Sequence, residues 1–310
     1  MITIAVEVCG DIWVNPDNVQ EQLNTAPADA PISLDFRAEG PSIVALGIVD
    51  MLDKYCADTG RNPNTIYITN NPNNQEHTHY YNNTPGRSHF FKMSKNYWAE
   101  PEPILYDAKL LGYFMGRRTI SRGRILYDLY HSTDSLLSCM ETVGYDLWTH
   151  PSRGRTLEQI DDWFNPRDFC LFLDWFNTKP VGSIDGHSVR DQYVTNPSTN
   201  LDILKYYNQF KIELVAETYS VGNTFFPTEK TIRPIMANKP FIVYGPKNFL
   251  QRLTALGFKT YSTCWDESYD LLEGPERWQA ISKMLPQVEY SAQADTIARH
   301  NRQRLAELIK

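Results

Sequence analysis

Residues 211–245 read KIELVAETYSVGNTFFPTEKTIRPIMANKPFIVYG. The hydrophobic rhythm changes twice within this stretch. KIELVAE (211–217) is short, apolar and β-branched, which predicts a buried strand ending on Glu217. TEKTIRPIMAN (228–238) predicts a short helix, with Asn238 at a left-handed C-cap and Pro240 blocking its continuation. PFIVYG (240–245) reads as the next strand, NFLQRLTALG (248–257) as a helix closed by Gly257, and FKTYS (258–262) as one more strand. Strands separated by helices of about ten residues imply a parallel sheet with helices on both faces.

The same alternation runs upstream. ITIAVEV (2–8), APISLDF (30–36) and TIYITNNP (65–72) are strand candidates, and IVALGIVDMLDKYC (43–56) carries the three-to-four spacing of an amphipathic helix that Ser42 would cap. Residues 70–103 are long, polar and rich in Asn, His and Pro. YDAKLLGYFMG (106–116) then restarts the apolar pattern, RRTISRGRILYDLYHS (117–132) runs from a polar turn into a helix, and ILKYYNQF (203–210) reads as helical. The expectation is an α/β protein of two Rossmann-like domains facing a cleft. The first spans 1–106, the second 107–290, and a terminal helix at 291–310 packs on that frame.

Composition narrows the function classes. Apolar residues make up 42% and charged residues 22% of the 310, ordinary for a globular chain. A net charge of −7 argues against a broad nucleic-acid-binding face. The five cysteines are scattered and show no C-x-x-C spacing, the pattern of a reducing compartment without structural zinc. The N-terminal MITIAVEVCGDIW has no basic flank and no long apolar run, so it reads as a first strand and the expected location is the cytoplasm.

Two strand-to-helix turns concentrate charge, and ligands of open parallel sheets bind at such turns. GRRTISRGRILYDL (116–129) holds Arg117, Arg118, Arg122 and Arg124. Arginine forks match phosphate geometry, and a helix N-terminus adds donors and a favourable dipole. The alternative is a solvated basic turn. In TEKTIRPIMAN, Glu229 suits the positive end of a helix dipole, but Lys230 does not unless an anion sits there. Glu217 could accept from ligand hydroxyls. The competing reading is a pair of structural ion pairs, Glu217–Arg233 or Glu229–Lys230. Taken together, the two turns point to a phosphate-and-ribose site.

These residues resemble the nucleotide-sugar half of GT-B glycosyltransferases, most closely the alpha-1,3-fucosyltransferases, whose motif runs F-E-N, a spacer, then T-E-K, a helix and P-hydrophobic-hydrophobic-Gly. TEKT…RPI…PFIV followed by GFKTYSTCWDESYD (257–270) also resembles uncharacterised phage and large-virus proteins. The likeness covers about 120–150 residues of the second half. It implies that Arg124 opens the helix that binds the diphosphate, that Glu217 is the first Glu of the motif, and that Thr228, Glu229 and Lys230 are its T-E-K. Thr218 stands where the family has Asn, which loosens any inference about the nucleotide and the sugar.

The activity implied is transfer of a sugar from a nucleotide diphosphate sugar to a hydroxyl acceptor, inverting, metal-independent and without a cofactor. The acceptor would be a modified DNA base of a phage or virus, or else a glycan. A non-catalytic sugar binder with two Rossmann-like lobes is the rival reading. An inverting transferase needs a carboxylate base. Glu39 in LDFRAEGPSIV (34–44) is the first candidate and Asp11 in VCGDIW (8–13) the second, against the plain alternative of surface acids. No D-x-D occurs, and His77, His79 and His89 share a loop without a ligand spacing, so no metal is expected.

Overall fold

The computed structural model describes residues 1–9, 12–13, 15–36, 47–69, 78–79, 100–116, 119–139, 160–178, 180–184, 197–217, 220–221, 225 and 227–308. The chain divides into two compact units, Met1–Arg87 with Val221–Phe226, and Ser88–Ser220 with Pro227–Lys310. Both are mixed α/β with parallel strands.

In the first unit, β1 (Ile2–Val6) is followed by the two-residue strands β2 (Val8–Cys9) and β3 (Ile12–Trp13), then by α1 (Pro16–Thr25), β4 (Ile32–Phe36), α2 (Ile48–Thr59), β5 (Ile66–Thr69) and β6 (Thr78–His79). β1, β4 and β5 lie parallel in that order, with Ile2 opposite Ile32 and Ile32 opposite Ile66, and β6 adds antiparallel to β5. Alternation places Ile4 and Val6 of β1 on one face. They pack there with Val19 and Leu23 of α1 and with Ile48 and Leu52 of α2. A tether crosses this layer where the Tyr55 hydroxyl donates to the Leu23 carbonyl at 2.8 Å.

The second unit holds β7 (Lys109–Met115), α3 (Ile120–Ser132), β8 (Ser135–Cys139), α4 (Ile160–Trp163), α5 (Pro166–Asn177), a 3-10 run at Pro197–Gln209, β9 (Phe210–Ala216), α6 (Glu229–Met236), β10 (Phe241–Tyr244), α7 (Phe249–Ala255), α8 (Gly274–Met284) and α9 (Ala292–Leu308). Its sheet runs β10-β9-β7-β8, all parallel. β9 and β10 are buried almost throughout, which explains why FKIELVA and FIVY are near-continuous apolar runs.

Connections set the layers. β7 reaches β8 through α3, while β9 reaches β10 through α6 in the opposite lateral direction. Right-handed crossovers therefore put α3 and α6 on opposite faces. α8 joins the α3 face, where the Trp278 indole N–H donates to Asp128 at 2.7 Å, and α9 packs on α6.

Two sequence expectations resolve differently. Asn238 and Gly257 take left-handed backbone, with φ of 59° and 90°, at the helix ends the sequence marked. FKTYS, expected as a strand, is irregular. The Asn301 side chain, fully buried on α9, accepts from the Lys259 N–H at 2.7 Å and donates to its carbonyl at 2.8 Å, and Glu267 accepts from the Tyr261 N–H. Side chains thus satisfy the peptide groups that a neighbouring strand would otherwise pair.

Gly112 in β7 is required by close approach. A Cβ there would come within 2.6–2.7 Å of the Phe210 ring, itself fully buried. Gly112→Ala is expected to destabilise the second unit by about 1–3 kcal/mol through overpacking. Urea denaturation checks this; an unchanged midpoint would show that the ring has room to move.

Candidate functional site

β7 and β9 are neighbours whose following helices depart in opposite directions, so the crevice at their carboxyl ends is a topological switch point. Open α/β sheets bind ligands there. Both turns that the sequence marked for charge, the one after β7 and the one after β9, fall at this edge.

α3 starts on Thr119, whose hydroxyl accepts from the Arg122 N–H at 3.3 Å. Arg122 lies on the buried stripe of α3 with Ile125, Leu126 and Leu129, at spacings of three, four and seven. Its guanidinium crosses to the next strand and donates to the Glu217 carbonyl at 2.6 Å. One arginine thereby joins the two helix-opening turns.

The turn after β9 is built on Glu217, which is buried to 1% exposure. Its carboxylate accepts from the Thr228 N–H at 3.0 Å, the Thr228 hydroxyl at 2.6 Å, the Thr231 N–H at 3.2 Å and the Thr231 hydroxyl. Four donors match the acceptor capacity of a carboxylate. Glu217 is therefore an internal anion at the N-terminus of α6, the place the helix dipole favours for negative charge. Thr228 caps the same helix by accepting from the Lys230 N–H.

Lys230 and Glu229 form a nearly buried ion pair at 2.7 Å, and the Lys230 ammonium also reaches the Thr228 hydroxyl at 3.4 Å. Burial alone would raise the Glu229 carboxyl, but Lys230 and then Arg233 outweigh it and hold it at about 2. Its folded value lies below the unfolded one, so the stability it supplies is complete above about pH 4.5 and is lost as pH falls towards 2. That loss is on the order of 3 kcal/mol. Glu229→Gln is expected to flatten the stability profile across this acid limb; a profile with unchanged slope would exclude Glu229 as its source.

Arg233 is taken up elsewhere. It pairs with Glu213 at 3.3 Å, and the Tyr207 hydroxyl donates to the other Glu213 oxygen at 2.5 Å. All three are buried. Burial pushes the Glu213 carboxyl up to about 7, against the pull of Arg233 and the Tyr207 hydrogen bond. Of the two ion pairs proposed from sequence, Glu229–Lys230 forms, whereas the partner of Arg233 is Glu213.

Arg124 is placed apart from this group. Its Nε–H is shared between the two Asp128 carboxylate oxygens at 3.0 and 2.9 Å, and its guanidinium donates to the Trp163 carbonyl at 2.9 Å and lies 4.9 Å from the Phe164 ring. Two positions along a helix are about 200° apart, so Arg122 and Arg124 address opposite faces. The sequence carried the signal for Arg122, because of the two arginines inside α3 only that one shares the phase of the Ile125, Leu126 and Leu129 stripe. Arg117, Arg118, Glu39, Asp11, His77 and His89 lie outside the described residues. Among the described residues no three His, Cys, Asp or Glu side chains group as a metal site, and no helix is long and apolar enough to cross a membrane.

Compared with known protein families, curated proteins and solved structures, the chain gives no significant match.

Proposed function

We propose that the second unit binds a nucleotide diphosphate at the β7/β9 switch point and that the protein is a glycosyltransferase of GT-B type using a nucleotide diphosphate sugar. The observation that carries this reading is the placement of Arg122 and Lys230, one from each helix-opening turn, at the crevice where open α/β sheets take their ligands. In this reading the two cations and the start of α3 neutralise the diphosphate as it leaves. Glu217 is engaged as the internal anion of α6, so contact with ligand hydroxyls passes to Glu229.

The family resemblance implies that the first unit supplies the carboxylate that takes the acceptor proton, with Glu39 first and Asp11 second. The acceptor is a hydroxyl on a modified DNA base or a glycan. A gel shift with duplex DNA that weakens with salt selects the former.

The test is a thermal-shift series with UDP, GDP, CMP and their sugars. A ligand bound only by the folded state raises the melting temperature in a saturable way. Release of free sugar from one of the bound donors then separates an enzyme from a sequestering protein. Unchanged melting with every nucleotide would remove the reading.

A further inference from the structure

A second charged cluster lies under α6, away from the turn that opens the helix. Glu213 stands four residues before Glu217, so strand alternation turns both side chains toward α6, where Glu213 meets Arg233 and Glu217 meets Thr228 and Thr231. Glu213 is buried to 1% exposure. Its partners across the sheet, Gly112 of β7 and Phe241 of β10, carry no charge. The groups that act on its charge are Arg233, the Tyr207 hydroxyl from the 3-10 run and Glu217. All are buried, so the cluster can influence a ligand only through a neighbour.

Arg233 is that neighbour. Its contact with Glu213 runs through one N–H at 3.3 Å, longer than the roughly 2.7–2.9 Å of a strong ionic hydrogen bond. Its Nε–H is buried without a hydrogen-bond partner among the described residues. The positive charge is therefore not confined to Glu213. Glu229 lies one turn back on the same helix face. Against the cost of burial, Lys230 and then Arg233 lower the Glu229 carboxyl. Burial opposes the Arg233 charge too, and Tyr207, Glu213 and Glu229 raise it in return. One guanidinium is thus divided between Glu213 of β9 and the Glu229 that pairs with Lys230.

Glu213 can take up or release a proton without losing its contacts. The Tyr207 hydroxyl donates to its second oxygen at 2.5 Å and can turn to accept from a protonated carboxyl. Burial brings this carboxyl up to about 7, against Arg233 and the Tyr207 hydrogen bond, so both forms coexist near neutral pH. While Glu213 is ionised the buried charges around the turn balance, with Glu213, Glu217 and Glu229 set against Arg122, Lys230 and Arg233. A diphosphate ester brings further negative charge into that balanced set. Once Glu213 is neutral, the Arg233 charge bears on Glu229 unopposed, and the Lys230 ammonium is freer to face a phosphate.

We propose that Arg233 is a positioning residue for the switch-point site, divided between Glu213 and Glu229, and that the charge state of Glu213 thereby sets how strongly the site holds a nucleotide diphosphate sugar. The inference rests on the reading that such an anion binds against Lys230. Linkage fixes the sign: a bound anion favours the protonated form of Glu213, so the proton favours the anion by the same factor. Affinity therefore rises as pH falls through about 7.

The experiment is calorimetry on the full chain between about pH 6 and about pH 8.5, with UDP-glucose and GDP-mannose as probes. Their phosphates are doubly esterified and keep one charge across this range, unlike a terminal phosphate, which titrates near about 6. The parent is expected to bind at least about threefold more tightly at the acid end. Glu213→Gln, which fixes the uncharged form, should bind at the alkaline end as tightly as the parent does at the acid end, with a flat profile. A role confined to packing would not raise affinity. Burial also brings Lys239 down to about 8 and Glu267 up to about 7, and their contributions would survive in this variant. Glu213→Gln/Arg233→Met removes the pair without leaving a buried charge unmatched, and it should bind at least about threefold less tightly than Glu213→Gln. A flat parent profile, a profile unchanged by Glu213→Gln, or a double variant that binds as tightly as Glu213→Gln would each overturn the proposal while leaving the nucleotide site in place. Failure of both probes to bind the parent at any pH would remove the nucleotide reading and the proposal with it.

Discussion

Replacing Glu217 by alanine will destabilise the second unit by about 3–5 kcal/mol, the largest stability loss expected of a single substitution at the site. Removing its carboxylate leaves the N–H and hydroxyl of both Thr228 and Thr231 without their acceptor, in surroundings where Thr228 and Thr231 are fully buried. α6 cannot absorb the loss. It has eight residues, and Pro234 inside it has no N–H to return to the Lys230 carbonyl, so the helix depends on its first turn.

Glutamine separates charge from hydrogen bonding at this position. Glu217→Gln keeps the shape and one acceptor oxygen, and the Thr228 hydroxyl, which bonds the other oxygen, can turn to accept from its amide. It should cost about half as much as alanine, and that remaining cost is the interaction of the negative charge with the helix N-terminus and with the buried donors. Urea denaturation followed by tryptophan fluorescence measures both variants. A loss under about 1 kcal/mol for Glu217→Ala would mean that water replaces the carboxylate at the cap.

How much of this was legible beforehand depends on whether a feature is local. The α6 cap and the left-handed residues at 238 and 257 follow from short-range sequence chemistry, because a capping side chain and the groups it serves lie within a turn of one another. The Glu229–Lys230 pair is equally local. The acceptor of the Thr228 and Thr231 donors is not. Glu217 sits 11 and 14 residues upstream, so from sequence it reads as a strand end open to ligand, and only the fold shows both its oxygens occupied.

The same divide explains the arginines. A count of four arginines in one turn says that a basic turn exists. It does not say which side chain faces the sheet edge, because that depends on the phase of α3 and on what packs against each face. Asp128, one turn beyond Arg124, and the Trp163 carbonyl, 39 residues away, together draw Arg124 outward. FKTYS failed for a related reason. Its alternation is that of a strand, yet Asn301 from the terminal helix supplies the partner that a strand edge would have given.

Lys230→Met is expected to weaken nucleotide diphosphate binding by about 30- to 1,000-fold, the largest effect expected on affinity. The argument is electrostatic. Lys230 is about one-tenth exposed, so its charge is poorly screened by water and a phosphate brought against it gains far more than at an open surface. Methionine keeps the stem's packing and removes only the ammonium. The substitution also leaves Glu229 buried without its strongest counter-charge, which would destabilise the turn and confuse the comparison. The double variant Glu229→Gln/Lys230→Met removes both charges and restores neutrality. It should therefore fold nearly as well as the parent while still failing to bind, and Glu229→Gln alone, which keeps the ammonium, measures how much of the loss belongs to the contact of Glu229 with the ligand hydroxyls. Arg124→Met supplies the contrast. Its guanidinium serves Asp128 and the Trp163 carbonyl on the other face of α3, so affinity should stay within about threefold of the parent even where stability drops. Calorimetry with whichever nucleotide stabilises the parent decides between the two cations. Equal loss in Arg124→Met and Lys230→Met would mean that the diphosphate sits on the outer face of α3, and undiminished affinity in Lys230→Met would detach the ligand from α6 altogether.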